Sequence, residues 1–118
     1  MAVSWNRQDN IGLIWIDNPP VNATSHAVRE GLAIALAEAN ADVAIQAIII
    51  ACKGKTFVAG ADVKEFGTPP RAPFLNDLVQ LIEDSAKPVI AALHGTVLGG
   101  GLEIALAAHG RIAALQTQ

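Results

Sequence analysis

The sequence predicts an α/β fold, and three observations carry that prediction. The run Ala44–Ala51 (AIQAIIIA) is continuous, apolar and rich in β-branched residues, the composition of a strand buried on both faces of a parallel sheet. A second apolar run, Val89–Leu93, has the same character. The order strand, helix, strand occurs twice along the chain, which is the pattern of α/β domains.

The elements follow in order. Val3–Arg7 and Ile11–Asp17 alternate around Asp9-Asn10, which predicts two antiparallel strands joined by a tight turn, and Asn18-Pro19-Pro20 ends the second. From Ser25 to Ala41 the apolar residues Val28, Leu32, Ile34, Ala35, Leu36 and Ala39 fall at helical spacing, with Ser25 as N-cap. Ala44–Ala51 is the first buried strand. The stretch KGKTFVAGADVKEFGTPPRAP after Cys52 has no period, so a long loop with at most one helical turn is expected, and such loops are often functional. Phe74–Ala86 returns to helical spacing through Leu75, Leu78, Leu81 and Ile82. Pro88 closes it before the strand Val89–Leu93. Gly99-Gly100-Gly101 then open a short apolar helix expected to end at Gly110, and Arg111–Leu115 begins another strand.

Composition bounds the function. At 118 residues the chain holds one domain at most, and with 52% hydrophobic but 4% aromatic residues its core must be built from Ala, Leu, Ile and Val. A formal charge of -3 lacks the basic excess that nucleic acid or an anionic membrane attracts, so neither is an expected partner. The lone Cys52 excludes an intrachain disulfide and a Cys-rich zinc site. The N-terminal ten residues carry no secretory pattern, and no apolar run approaches the ~18 residues needed to cross a bilayer. A cytoplasmic protein is the expectation.

Two stretches carry chemistry. Glycines at a strand-to-helix junction let unpaired backbone N–H groups approach a ligand, and the helix dipole favours negative charge there, so Gly99–Gly101 form a candidate oxyanion site. Glu103, in the first turn of the same helix, is placed to act as a general base or acid. The alternative is that the glycines serve tight packing and Glu103 merely complements the dipole; local physics leaves both open. Val58-Ala59-Gly60-Ala61-Asp62 follows the first buried strand at the sheet edge where α/β folds place ligands, and one of its N–H groups could face the same oxyanion; an ordinary glycine turn with Asp62 as a cap is the alternative.

Other motifs fail on spacing. Gly54-Lys55-Thr56 would end a P-loop only with a glycine at position 49, which is Ile49. No GxGxxG is present, and no serine sits in a G-x-S-x-G elbow. His26, His94 and His109 show no metal-ligand spacing, so no metal is assigned. Lys53, Lys55 and Lys64 flank the long loop as solvated or phosphate-meeting cations.

Taken together, FVAGADVKEF at Phe57–Phe66 and KPVIAALHGTVLGGGLEIALAAHGRIA at Lys87–Ala113 resemble the crotonase superfamily of enoyl-CoA hydratases and isomerases. NPPVNATS at Asn18–Ser25 is similar to the entry to that family's first helix. More finely, NPPVNATS, the Glu65-Phe66 ending and Ala108-His109-Gly110-Arg111 resemble the hydratase part of bifunctional enoyl-CoA hydratase/3-hydroxyacyl-CoA dehydrogenase proteins. The resemblance implies a spiral of ββα turns and, since family domains are about twice as long, residues 1–118 as the N-terminal portion of a truncated hydratase/isomerase domain. It further implies hydration of 2-enoyl-CoA thioesters in fatty-acid β-oxidation. Ala61 and Gly100 match the oxyanion-hole amides, and Glu103 matches the first of two catalytic glutamates. Val21, Asn22, Ala23, Val58, Ala59, Gly60, Asp62 and Gly99 match segments that contact the coenzyme A moiety, mostly through main chain. Coenzyme A enters only as part of the substrate, with no separate cofactor, and a homo-oligomer is expected. A Δ3-Δ2-enoyl-CoA isomerase, or a non-catalytic CoA-binding or self-associating module, is the alternative.

Overall fold

The structure, a computed structural model, describes residues 2–60, 65 and 67–118. Its elements are β1 (Val3–Gln8), β2 (Ile11–Ile16), α1 (His26–Ala41), β3 (Ala47–Cys52), α2 (Leu75–Glu83), β4 (Val89–Leu93), α3 (Gly100–Ala107) and β5 (Gly110–Ala113). The strands form one sheet in sequence order, with β1 and β2 antiparallel and every later pair parallel. Asp9, at φ 55, makes the hairpin turn between β1 and β2, a conformation Asp tolerates better than most residues.

Register concentrates burial on one face. Gly12, Ile14 and Ile16 stand opposite Ile48, Ile50 and Cys52, and Ile48 and Ile50 in turn stand opposite Val89 and Ala91; all of these are buried. Ile49, Ala51 and Ile90, on the opposite face, are only half-buried. The expectation that the Ala44–Ala51 strand is buried on both faces is therefore corrected: helices cover one face fully, and the other is partly open. The strand also begins later, at Ala47, because Gln46 N–H still bonds Asn10 O and Ile45 tucks against Gly12.

α1 starts as expected. Ser25 Oγ accepts from Val28 N–H at 3.2 Å, a cap worth ~1 kcal/mol. Val28, Leu32, Ala35, Leu36 and Ala39 face the core while Ile34 faces solvent. α2 is shorter than its apolar spacing suggested, ending at Glu83, and its Asp77 carboxylate accepts from Phe74 N–H at 2.9 Å. α3 ends at Ala107 rather than at Gly110. Ala108 turns to extended backbone, Arg111 Nη1 donates to the carbonyls of Ala105 and Ala108, and Gly110 opens β5. The tail returns to β4's exit, where Gln118 N–H donates to Gly95 O and Val97 N–H donates to Gln118 O.

Candidate active site

Beyond β3 and β4 the chain continues as a second, irregular parallel pair that carries both glycine corners. Phe57 N–H donates to His94 O at 2.7 Å, Thr56 Oγ1 donates to Thr96 O at 2.6 Å, and Ala59 bridges Leu98 in parallel. Gly60 N–H then donates to Leu98 O at 3.3 Å. Gly60 and Gly99, both at positive φ, meet there: a Cβ on Gly99 would lie 3.5 Å from Gly60 Cα. The two corners predicted to form one site are thus adjacent.

Gly99 caps α3 at φ 53, and Gly100 is the first helical residue, half-buried. Gly101 N–H donates to Leu98 O and Glu103 N–H to Gly99 O. Among the described residues nothing accepts from the Gly100 N–H. An orphan donor at a helix start is a place for an anion or a polarised oxygen. Ala61 and Asp62 lie outside the described residues.

Glu103 is exposed, and with Asn76, Val79, Glu83, Leu106 and Ala107 it lines a cavity of about 240 Å³ between α2 and α3. The α2 wall of this cavity escaped sequence reasoning. Asn76, Val79 and Glu83 recur at helical spacing, but the eye follows the leucines Leu78 and Leu81 beside them. Leu75 reaches toward the Gly100 corner, its Cδ2 3.4 Å from where a Cβ on Gly100 would be.

The segment 18–24 supports the corners. Asn22 is buried at φ 54, and its Nδ2 donates to Lys53 O at 2.9 Å and Thr56 O at 2.8 Å while its Oδ1 accepts from Asn18 N–H at 2.7 Å. That side chain holds the loop together. Ala59 N–H donates to Val21 O, and Gly60 O accepts from both Thr24 N–H and Thr24 Oγ1 at 3.3 Å. Val58 is fully buried, whereas Val21 and Gly99 are exposed and Ala23 is half-buried.

Cys52, the three histidines and Lys53 are engaged within the protein. Burial pushes the Cys52 thiol up from 9.0 to about 12, against a lowering hydrogen bond with the Val58 backbone, so it is no nucleophile at neutral pH. His26, His94 and His109 donate from Nε2 to the carbonyls of Ala72, Gly54 and Glu83. Lys53 lies 5.7 Å over the Trp15 ring. Among the described residues no cluster of three His, Cys, Asp or Glu could hold a metal ion, and no helix is long and apolar enough to cross a membrane.

A sequence profile of the enoyl-CoA hydratase/isomerase family matches residues 6–118. The chain is 44% identical over 104 residues to the peroxisomal bifunctional enzyme of Danio rerio, covering 88% of this chain and 14% of that protein. It is 41% identical over 120 residues to a "probable enoyl-CoA hydratase" of Bacillus subtilis (strain 168), covering 96% of this chain and 46% of that protein. The crystal structure of enoyl-CoA hydratase from Thermoplasma volcanium GSS1 superposes with a TM-score of 0.88 at 34% identity, over 99% of this chain and 50% of that one. The chain spans less than half the length of these curated relatives. Its matched profile, its identities and its superposition agree, and the chain belongs to the enoyl-CoA hydratase/isomerase family, with the crotonase fold.

Proposed function

We propose that this chain carries the oxyanion-binding half of an enoyl-CoA hydratase site, acting on 2-enoyl thioesters of coenzyme A in fatty-acid β-oxidation. Water oxygen bonds to C3, the π electrons move onto the thioester oxygen, and the enolate collapses as C2 takes a proton from solvent, which replaces the one the attacking water gives up, so that one water is added in all. Gly100 N–H, with Ala61 N–H as its partner, donates to that oxygen where charge develops. One such donor is worth ~2.7 to 4 kcal/mol of barrier. Glu103 orients the attacking water and accepts its proton. Coenzyme A is held along Val21–Ala23, Val58–Gly60, Asp62 and Gly99, largely through main chain. No metal or separate cofactor is needed in this scheme. The cytoplasm is our expected location, although several relatives carry "peroxisomal" in their names.

The observation that carries this reading is the Gly100 N–H at the head of α3, next to Gly99, which abuts Gly60, with Glu103 in the same first turn beside a cavity. Hydration of crotonyl-CoA tests it. Glu103→Gln should lose about a hundredfold or more in rate while CoA thioester affinity holds, because general base catalysis contributes on that scale. A variant that hydrates as fast as the parent removes Glu103 from the reaction, and double-bond migration in place of hydration favours the isomerase. One observation favours a second reading: Leu98, Leu102 and Leu106 are exposed on and beside α3, and such a face suits a self-associating module. A chain that forms oligomers and binds CoA without turnover would fit that reading.

A further inference from the structure

Arg29 is almost fully buried on α1, and the chemistry above makes no use of it. Its Nε donates to Pro73 O at 2.8 Å, Nη1 to Thr24 O at 2.7 Å and to Glu65 Oε1 at 3.2 Å, and Nη2 to Arg71 O at 3.3 Å. A buried guanidinium is tolerated only when its donors are satisfied in this way. Glu65 Oε2 accepts from His26 N–H, a first-turn donor of α1, at 2.6 Å. His26 Nε2 donates to Ala72 O at 2.8 Å. One helical turn thus grips Glu65 and the carbonyls of Arg71, Ala72 and Pro73.

The same stretch grips the other side of the glycine corner. Thr24, whose carbonyl takes Arg29 Nη1, donates twice to Gly60 O, and its Cγ2 and Oγ1 stand 2.9 Å from the position of a Cβ on Gly100. Residues 24–29 are therefore bonded to Gly60 and to Glu65, the described residues on either side of 61–64, and they press on Gly100. A planar fork can span Thr24 O, Glu65 and two loop carbonyls at once; a lysine ammonium, a point charge with three donors, cannot.

We infer that Arg29 is a positioning residue: paired with Glu65, it holds Thr24 and so sets how the Gly60 corner approaches the Gly100 corner, and with it the strength with which a thioester oxygen is held as enolate charge develops. This inference rests on the oxyanion reading of Gly100. It is tested on the full chain with acetoacetyl-CoA, whose bound enolate has its own near-ultraviolet absorbance, alongside binding of CoA alone. Arg29→Lys should lower the enolate signal on the order of tenfold to a hundredfold, the scale of a small misplacement transmitted from outside the site. CoA affinity should stay within about twofold, as expected for an uncoupled change. Glu65→Gln should move the signal in the same direction and, being at the surface end of the pair, keeps the test alive if Arg29→Lys does not fold. Parental enolate signals in both variants overturn the inference while leaving the oxyanion reading intact. A parent chain that binds CoA but gives no enolate signal overturns that reading and this inference with it.

Discussion

Gly100 and Gly101 are neighbours at the head of α3 with different constraints. A Cβ on Gly101 would collide with the Val58 carbonyl, whose carbon would be 2.7 Å away, and backbone cannot step aside. Gly101→Ala should therefore cost about 3 kcal/mol or more, read as a lowered urea midpoint. A Cβ on Gly100 meets only side chains, those of Thr24 at 2.9 Å and Leu75 at 3.4 Å. Gly100→Ala should change stability by about 1 kcal/mol or less, since helix propensity offsets part of the contact, yet weaken enolate binding. A glycine run announces a close approach of backbone, but which glycine meets fixed backbone and which meets side chains depends on Val58 and Thr24, far away in sequence. Arg29 is illegible for the same reason: its acceptors on Glu65, Arg71 and Pro73 lie 36 to 44 residues downstream. Among helix residues a charged side chain reads as exposed.

At the scale of elements, α1 shows what periodicity reveals and what it misses. Leu32 is fully buried and Ile34 is 53% exposed, though both belong to the same apolar spacing. Leu32→Ala should cost about 2 to 5 kcal/mol in chemical denaturation and Ile34→Ala only a few tenths. β4 is legible to the residue because Pro88 marks its start and Gly95 lies just beyond its end. The start of β3 is not, because Ile45 is as apolar as the strand but packs under Gly12 instead of joining the ladder. The end of α3 is misread because Arg111 caps its carbonyls from outside the helix. The α1 clamp also carries a pH signature. The His26 N–H holds the Glu65 carboxyl below its ordinary 4.5, burial opposes this, and Arg29 and then Arg71 add to the lowering. A depressed folded value means stabilisation that is complete above 4.5 and lost as pH falls through the lowered value. Acid titration of thermal stability should show this loss in the parent and a flatter response in Glu65→Gln.

At the scale of the molecule, the sheet order and the second parallel pairing explain why motifs separated by 40 residues share one place. Ala59 bridges Leu98, so the loop after β3 and the loop after β4 run side by side and turn at Gly60 and Gly99 together. An α/β fold whose two glycine corners follow the carboxyl ends of neighbouring strands is legible from the apolar runs and the junction glycines. The α2 wall of the cavity and the support from residues 18–29 are not, since both arise from contacts between elements that no local period encodes. The chain's similarity to solved hydratases extends over nearly all of its own length and about half of theirs. A crystal structure of the chain with acetoacetyl-CoA tests most directly whether Gly100 N–H holds the thioester oxygen. The thioester oxygen should lie ~3 Å from Gly100 N, with the Glu103 carboxylate facing the acyl carbons across the α2–α3 cavity. A thioester bound elsewhere, or a Gly100 N–H donating to a protein carbonyl in the complex, would contradict this role for Gly100.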